Sequence, residues 1–516
     1  MVSRLRRILV LLGSLALAGA VEAQFREDLE VRLVEIDVVV TDRDGRHVHG
    51  LKPEDFVVLD GAVPKKISNF TEYGSAPSVS AGHDGNSIAA GAGTAPSRPQ
   101  NLLILLDPLP RSFFIRASTF ARLEALLDRL MRDGDRVSIV AWSSTLERAQ
   151  SILASTDRES VRNALLALAR IETTGGRAKS ADDFAESEAM FLDRISGDVD
   201  IEALQRSNDY FRGVAASMAL KHRINEMKRL VRTLSAAPGK KVVLYVSNGS
   251  FGIPSPTPAV TLSKAPPTPA WDHLAGLAAV NDLVRTANAG GVTFYAVAPS
   301  VHDDPKAITS RVDEMVGLRE LTLPTGGLYG FGVGSVETIG TALADDVSAH
   351  YSIAYQSAGN GNDREHKIRV TTRNPEYRVR AKESFIDKSS ETEARDALLA
   401  GFFGGRLPND VDFSVAFAGA PRRGLQTIDV RIPSTQLDFA QDGPDQVAHV
   451  RVIITASNGT DPAPIKESDL RIVVGRDDGG GFVRYSFQMA VASGDLTIGV
   501  LDRHNGHLGA ETIRNH

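Results

Sequence analysis

Alternating apolar and polar positions near the start of the chain predict β-strands. In residues 30–73, the extended apolar segment Val31–Val40 is followed by a second apolar run, Phe56–Leu59, and Asp60-Gly61 follows that run as a hairpin turn would. A few strands are rarely stable alone. We therefore expect this segment to pair with another part of the chain. Residues 74–99 contain mainly Gly, Ala, Ser and Pro, which predicts a flexible linker.

Between residues 100 and 350, strand patterns alternate with helix patterns. Short apolar runs are separated by stretches whose apolar residues recur three and four positions apart, as in Leu123, Leu126, Leu127 and Leu130. This alternation is typical of a mostly parallel sheet covered by helices on both faces. We therefore predict an α/β, doubly wound, Rossmann-like domain over residues 100–350.

The remainder of the chain again predicts strands. Residues 351–386 contain short alternating runs, and we expect them to complete one small discontinuous β-domain with residues 30–73. Residues 387–410 predict a linker with a short helix. Strand patterns recur through 411–503 with turn residues between them, which predicts an antiparallel β-sandwich, and 504–516 predict a polar tail.

The N-terminus and the composition predict an exported protein. Three arginines precede the apolar residues 8–20, and Val21-Glu22-Ala23 fits a cleavage site, so residues 1–23 predict a signal peptide. No later stretch is long and apolar enough for a membrane span. The chain has no cysteine, which excludes disulfides and thiolate chemistry and favours a bacterial periplasm, cell surface or medium. A net charge of −6 gives no reason to expect nucleic acid.

Several stretches together resemble the VWFA-related family of acidobacterial secreted proteins, which contain a von Willebrand factor type A (VWA) domain. The resemblance covers about residues 30–386 and is carried, in order, by Val34–Asp42 with Gly50–Phe56, Pro238–Val243 with Val246–Gly249, Thr325–Gly327, His350–Tyr355 and Lys367–Val370. It implies a mostly parallel VWA (Rossmann-like) sheet. In VWA domains, an Asp-x-Ser-x-Ser loop, a threonine from a second loop and an aspartate after the central strand hold Mg²⁺.

This sequence departs from that metal-binding pattern at most positions. Asp107 is kept, but Leu109 and Arg111 stand where the two serines are expected. Arg177 stands where the threonine is usual, and Asn248 replaces the aspartate. Divalent cations require several converging oxygens, so we predict a degenerate site with no resident cofactor.

Ser112, displaced by one residue, joins Asp107, Arg177 and Asn248 as the candidate binding residues. Two other interpretations of Asp107 remain open. Its carboxylate could accept backbone N–H groups at the start of the following helix, or it could form an internal ion pair with Arg111 or Arg177.

No linear motif indicates catalysis. Gly249-Ser250-Phe251-Gly252 lacks the spacing of a nucleophile elbow, and phosphate-binding, dinucleotide-binding and zinc-protease motifs are absent. We therefore predict a non-enzymatic exported protein that recognises a protein or glycan without a cation. One alternative is Mg²⁺-dependent adhesion through Asp107, and another is a hydrolase whose site assembles between domains.

Overall fold

The computed structural model describes a set of separate ranges that together contain 22 strands in five sheets. The predicted signal peptide lies outside them, as do all but the two end residues of the predicted linker. The described residues are 31–74, 99–107, 113–142, 148–170, 220–235, 237–247, 251–253, 270–299, 307–332, 334–358, 361–401, 407–422, 425–457, 462–473, 481–489 and 494–515.

Two antiparallel sheets form an N-terminal β-domain from both ends of the first 386 residues. Its strands are β1 (Val31–Thr41), β2 (Phe56–Asp60), β3 (Val63–Lys65), β4 (Ile67–Tyr73), β11 (His350–Ala358), β12 (Glu365–Thr372), β13 (Arg378–Ala381) and β14 (Ser384–Ile386). The strand orders are β13-β1-β11-β4 and β14-β12-β2-β3. Ile36 lies opposite Ile353, and both are fully buried in the core between the sheets.

A six-stranded sheet lies between these segments in sequence. It consists of β5 (Gln100–Leu106), β6 (Arg136–Trp142), β7 (Arg148–Ser155), β8 (Lys240–Val246), β9 (Val292–Ala298) and β10 (Tyr329–Phe331), in the order β10-β9-β8-β5-β6-β7. Neighbouring strands are parallel except that β7 is antiparallel to β6. Every residue of β5 is buried, because apolar cores cover both faces of the sheet.

Six described helices supply those cores. Helices α1 (Phe113–Leu130), α2 (Arg158–Arg170) and α6 (Ser335–Ser348) pack on one face. The helical residues 220–235 (α3), with α4 (Ala270–Gly290) and α5 (Ala307–Thr322), pack on the other. Short 3-10 turns occur at Pro53–Asp55, Leu323–Thr325 and Ser434–Gln436. Among the described helices, none is both long and apolar enough to cross a membrane.

The C-terminal part is an antiparallel β-sandwich preceded by helix α7 (Ser390–Gly401). Its strands are β15 (Ser414–Arg422), β16 (Leu425–Pro433), β17 (Ala440–Asp442), β18 (Asp445–Ser457), β19 (Pro462–Val473), β20 (Phe482–Met489), β21 (Gly494–Asp502) and β22 (Leu508–Asn515). One sheet is β15-β16-β20, and the other is β17-β18-β21-β22 with β19 also paired to β18. Apolar side chains from both sheets share one core.

The predicted class, an α/β chain dominated by a doubly wound, mostly parallel VWA (Rossmann-like) sheet, is wrong for this chain. Strand accounts for 45% and helix for 33% of the described residues, and four of the five sheets are antiparallel. The helix–strand alternation covers only residues 100–350, and the sheets that the rest of the described chain forms are antiparallel. Among the described strands, parallel pairing is confined to the six-stranded sheet, where helices form the long crossovers that parallel strands require.

The predicted tail over residues 504–516 is also wrong. Leu508–Asn515 forms β22, which pairs with β21 along its whole length. This segment has only two large apolar residues, Leu508 and Ile513, so its local pattern is weak. Pairing with a neighbouring strand, not local propensity, makes it a strand.

Candidate functional site

Asp107 lies at the carboxyl end of β5, where the sequence placed it. Its backbone N–H donates to the carbonyl oxygen of Val246 at 3.0 Å, which continues the parallel pairing with β8 one residue beyond the strand. Only 1% of Asp107 is exposed. The side chain is therefore inside the protein, where a charge requires a partner.

Among the described residues, the side chains of Tyr245 and Arg223 contact the Asp107 carboxylate. The hydroxyl of Tyr245 donates to Oδ2 at 2.9 Å, and Nε of Arg223 lies 2.8 Å from Oδ1. Arg223 comes from α3 and is itself buried, so the pair is removed from water. Burial raises the pKa of Tyr245 well above its usual value, and the Asp107 charge raises it further, so the phenol stays protonated and remains a donor.

A second buried hydrogen bond lies at the end of the neighbouring strand. Ser247 follows β8, and its hydroxyl donates to Oε1 of Glu314 on α5 at 2.5 Å. Both residues are buried. The carboxyl edge of β5 and β8 thus carries two buried carboxylates, each bonded to a residue from another element. This arrangement ties helices α3 and α5 to the strand ends.

The other candidate binding residues lie outside the part of the chain that the structure describes, so their distance from Asp107 and Arg223 is not defined. Ser112, Arg177 and Asn248 lie outside the described residues, as does Arg111. The predicted internal ion pair of Asp107 with Arg111 or Arg177 thus stays a prediction, and the ion pair that the structure shows is with Arg223. Within the described ranges, no three His, Asp or Glu side chains are grouped so that they could hold a metal ion.

Sequence reasoning missed Arg223, although a signal was present. Leu220, Ile224 and Met227 form a helical apolar stripe, and Arg223 lies within that stripe. A charged residue at a core position requires a buried counter-charge. The pattern therefore indicates that Arg223 has an acidic partner, but it does not say which one, because Asp107 is far away in sequence.

A second buried charge cluster lies near the opposite, amino-terminal edge of the six-stranded sheet. Asp346 on α6 has no exposed surface and accepts two hydrogen bonds from the Arg380 guanidinium, both at 2.7 Å. The Tyr295 hydroxyl donates to it at 2.6 Å, and Nε2 of His47 lies 2.8 Å away. Burial raises the pKa of Asp346, but the hydrogen bonds with His47, Arg380 and Tyr295 have the larger effect and lower the pKa to about 2. The cluster joins the N-terminal β-domain to the six-stranded sheet.

The Thr325–Gly327 stretch has a structural role beside this cluster. The Thr325 hydroxyl donates to the Thr322 carbonyl at 2.8 Å and accepts the Phe294 N–H at 3.0 Å. Gly326 has a φ of 88°, and a Cβ on Gly327 would stand 1.8 Å from the Phe294 carbonyl oxygen. Both glycines are therefore required where the end of α5 reaches β9.

Comparisons with known proteins give only remote structural likenesses. No family model matches the chain, and no curated protein does either. A mussel byssus proximal thread matrix protein matches with 12% identity and a TM-score of 0.26, over 49% of each chain. The open form of the pilus adhesin SpaC from Lactobacillus rhamnosus GG matches with 9% identity and a TM-score of 0.29, over 81% of this chain and 56% of the adhesin.

An aerotolerance-related membrane protein from Bacteroides fragilis also matches, with 10% identity and a TM-score of 0.23. That match covers 48% of this chain and 98% of the membrane protein. The matches span only about half the length of the mussel and pilus chains. Likenesses this weak do not carry an argument about function.

Proposed function

We propose that the protein is an exported, non-enzymatic binding protein that recognises a protein or glycan without a bridging cation. The observation that carries this proposal is the buried ion pair between Asp107 and Arg223. A hard divalent cation requires several free oxygens that converge on it. Here the carboxylate expected to anchor the cation already faces a permanent positive charge, which would repel a second cation at the same place.

The sequence supports the rest of the proposal. The five stretches that resemble the VWFA-related family support membership of that family, and residues 1–23 support export to the periplasm, cell surface or medium. Because Asp107 is buried, it supports the edge of the sheet instead of touching a partner. Ser112, Arg177 and Asn248 remain the proposed contact residues at that edge.

We expect the thermal midpoint of residues 24–516 to be the same in EDTA and in millimolar Mg²⁺ or Mn²⁺. A ligand at 100 times its Kd would stabilise the native state by about 2.7 kcal/mol, which corresponds to a shift of degrees. Differential scanning calorimetry measures this directly. A midpoint that rises with Mg²⁺, and no longer rises in Asp107→Asn, would instead establish Mg²⁺-dependent adhesion.

Binding itself is tested on a glycan array and on immobilised cell-surface proteins, each in EDTA and in Mg²⁺. We expect equal retention in the two buffers and no cleavage of the retained ligand. Cleavage products, detected by mass spectrometry, would favour the hydrolase alternative. Failure to bind either class would contradict the proposed function.

A further inference from the structure

A cavity of about 330 Å³ lies between the N-terminal β-domain and the amino-terminal edge of the six-stranded sheet. Strand β1 contributes Glu35 and Asp37, and the start of β8 contributes Lys240 and Lys241. The remaining charged or polar lining includes His350 and Lys382. The volume falls within the range of small-molecule sites, roughly 300–1,000 Å³.

Several of the stretches that carry the family resemblance meet in this cavity. The lining includes Glu35 and Asp37, the Gly239-Lys240-Lys241 segment, Thr325 with Gly326, and His350. These residues belong to four of the five stretches that carry the family resemblance. The site around Asp107 does not account for any of them, because it lies at the other edge of the sheet.

The cavity carries an excess of positive charge. Three ammonium groups, those of Lys240, Lys241 and Lys382, face two carboxylates, those of Glu35 and Asp37. Arg380 also lines the cavity, but Asp346 neutralises it. His350 adds no charge near neutral pH, because burial and the neighbouring Lys240 lower its pKa to about 3.

The three lysines differ in how their ammonium groups are satisfied. Lys240 donates to the Asp346 carbonyl at 3.2 Å and lies 3.8 Å from the Asp37 carboxylate. Lys241 donates to two backbone carbonyls, those of Ala237 and Gly239, both at 3.2 Å. Lys382 forms no hydrogen bond and no ion pair with any residue in the described part of the chain.

Lys382 also contributes to the lining of a second, separate space of about 590 Å³. Lys382, Glu35 and Ala289 line both spaces, and the second space extends toward α7. Burial lowers the pKa of Lys382 to about 8, with Lys241 and Lys388 acting in the same direction and Asp37 and Glu35 against it. The group is therefore protonated at pH 7, where it has three donors to offer.

We propose that this cavity binds a small anion bearing a carboxylate or phosphate group, with the Lys382 ammonium as its principal partner. A partly buried ammonium that no carboxylate or carbonyl oxygen contacts directly destabilises the folded protein, so a ligand that brings an anionic oxygen to it would explain its position. The excess of one positive charge in the lining fits an anionic group of this size. This proposal is independent of the partner recognition proposed above.

The test is a titration of residues 24–516 at pH 7 with inorganic phosphate and, separately, with acetate, at constant ionic strength maintained with chloride. We expect the thermal midpoint to rise saturably with at least one of the two anions, and the anion that acts identifies the head group. In Lys382→Met we expect the apparent Kd to weaken at least tenfold. Lys382→Arg, which keeps the charge, should retain the response.

Lys367→Met serves as the matched control, because Lys367 is 72% exposed on β12 and lies outside the cavity lining. It should respond to the anions as the wild type does. A general effect of salt would raise the midpoint of all four proteins equally and would overturn the proposal. So would the lack of any saturable response to either anion in the wild type.

Discussion

Asp346→Asn is expected to lower the free energy of unfolding by about 3–5 kcal/mol at pH 7, because it removes one partner of a buried ion pair. The substitution keeps the shape of the side chain but removes its charge. Arg380 would then keep its guanidinium beside the Tyr295 hydroxyl without a counter-charge. The measurement is urea unfolding followed by circular dichroism, with the wild type measured in parallel.

The matched control is Asp345→Asn at the adjacent position. The Asp345 side chain is 50% exposed, and its carboxylate lies 3.9 Å from a guanidinium nitrogen of Arg129. Exposed pairs contribute roughly 0–1 kcal/mol, so the same chemical change should have little effect there. If Asp346→Asn and Asp345→Asn lowered the free energy of unfolding equally, the Asp346 cluster would not stabilise the contact between the N-terminal β-domain and the six-stranded sheet.

The stability difference between the wild type and Asp346→Asn should also depend on pH. The folded-state pKa of Asp346 is lowered to about 2 from an ordinary 3.8, so the ionised group stabilises the protein above pH 3.8. This contribution is lost as the pH falls through 3.8 toward 2. We expect the difference to narrow by about 2 kcal/mol between about pH 5 and pH 1, and a constant difference would contradict the assigned pKa.

The Asp346 cluster also shows why the sequence predicted strands better than it predicted sites. The alternation around Ile36 and Ile353 indicates half-buried strands, whatever their partners are. The partners of Asp346 come from three segments far apart in sequence, which are His47, Tyr295 and Arg380. No local pattern connects them, because their proximity results from tertiary folding.

The fold class, like the Asp346 cluster, is determined by contacts between elements that are far apart in sequence. Periodicity identifies an element but not the neighbours of that element, and the class depends on the neighbours. The strand β22 is an extreme case: its Gly509 lies so close to Val411 that an added Cβ would stand 1.9 Å from the Val411 carbonyl oxygen. That contact requires glycine, yet in the sequence a glycine beside Leu508 weakens the strand pattern.

Arg223→Met is expected to lower the free energy of unfolding by about 3–5 kcal/mol at pH 7. Methionine retains most of the apolar stem of arginine, so the α3 stripe keeps its packing. Asp107 would lose the guanidinium that lies 2.8 Å from Oδ1 and would keep the Tyr245 hydrogen bond. On the same helix, Arg229→Met provides the control, because Arg229 is 59% exposed and pairs with Glu226 near the surface.

The double variant Arg223→Met with Asp107→Leu distinguishes a lost ion pair from lost packing. If the loss in Arg223→Met arises from an uncompensated Asp107 charge, removal of that charge as well should restore most of the stability. If the losses of unfolding free energy in the two single variants simply add in the double variant, the arginine acts through its packing.

Arg223→Met also tests whether Arg223 prevents a cation from binding, because the variant leaves the Asp107 carboxylate at the carboxyl edge of β5 without its guanidinium partner. A midpoint of this variant that rises with Mg²⁺, while the wild type does not respond, would show that Arg223 excludes the cation.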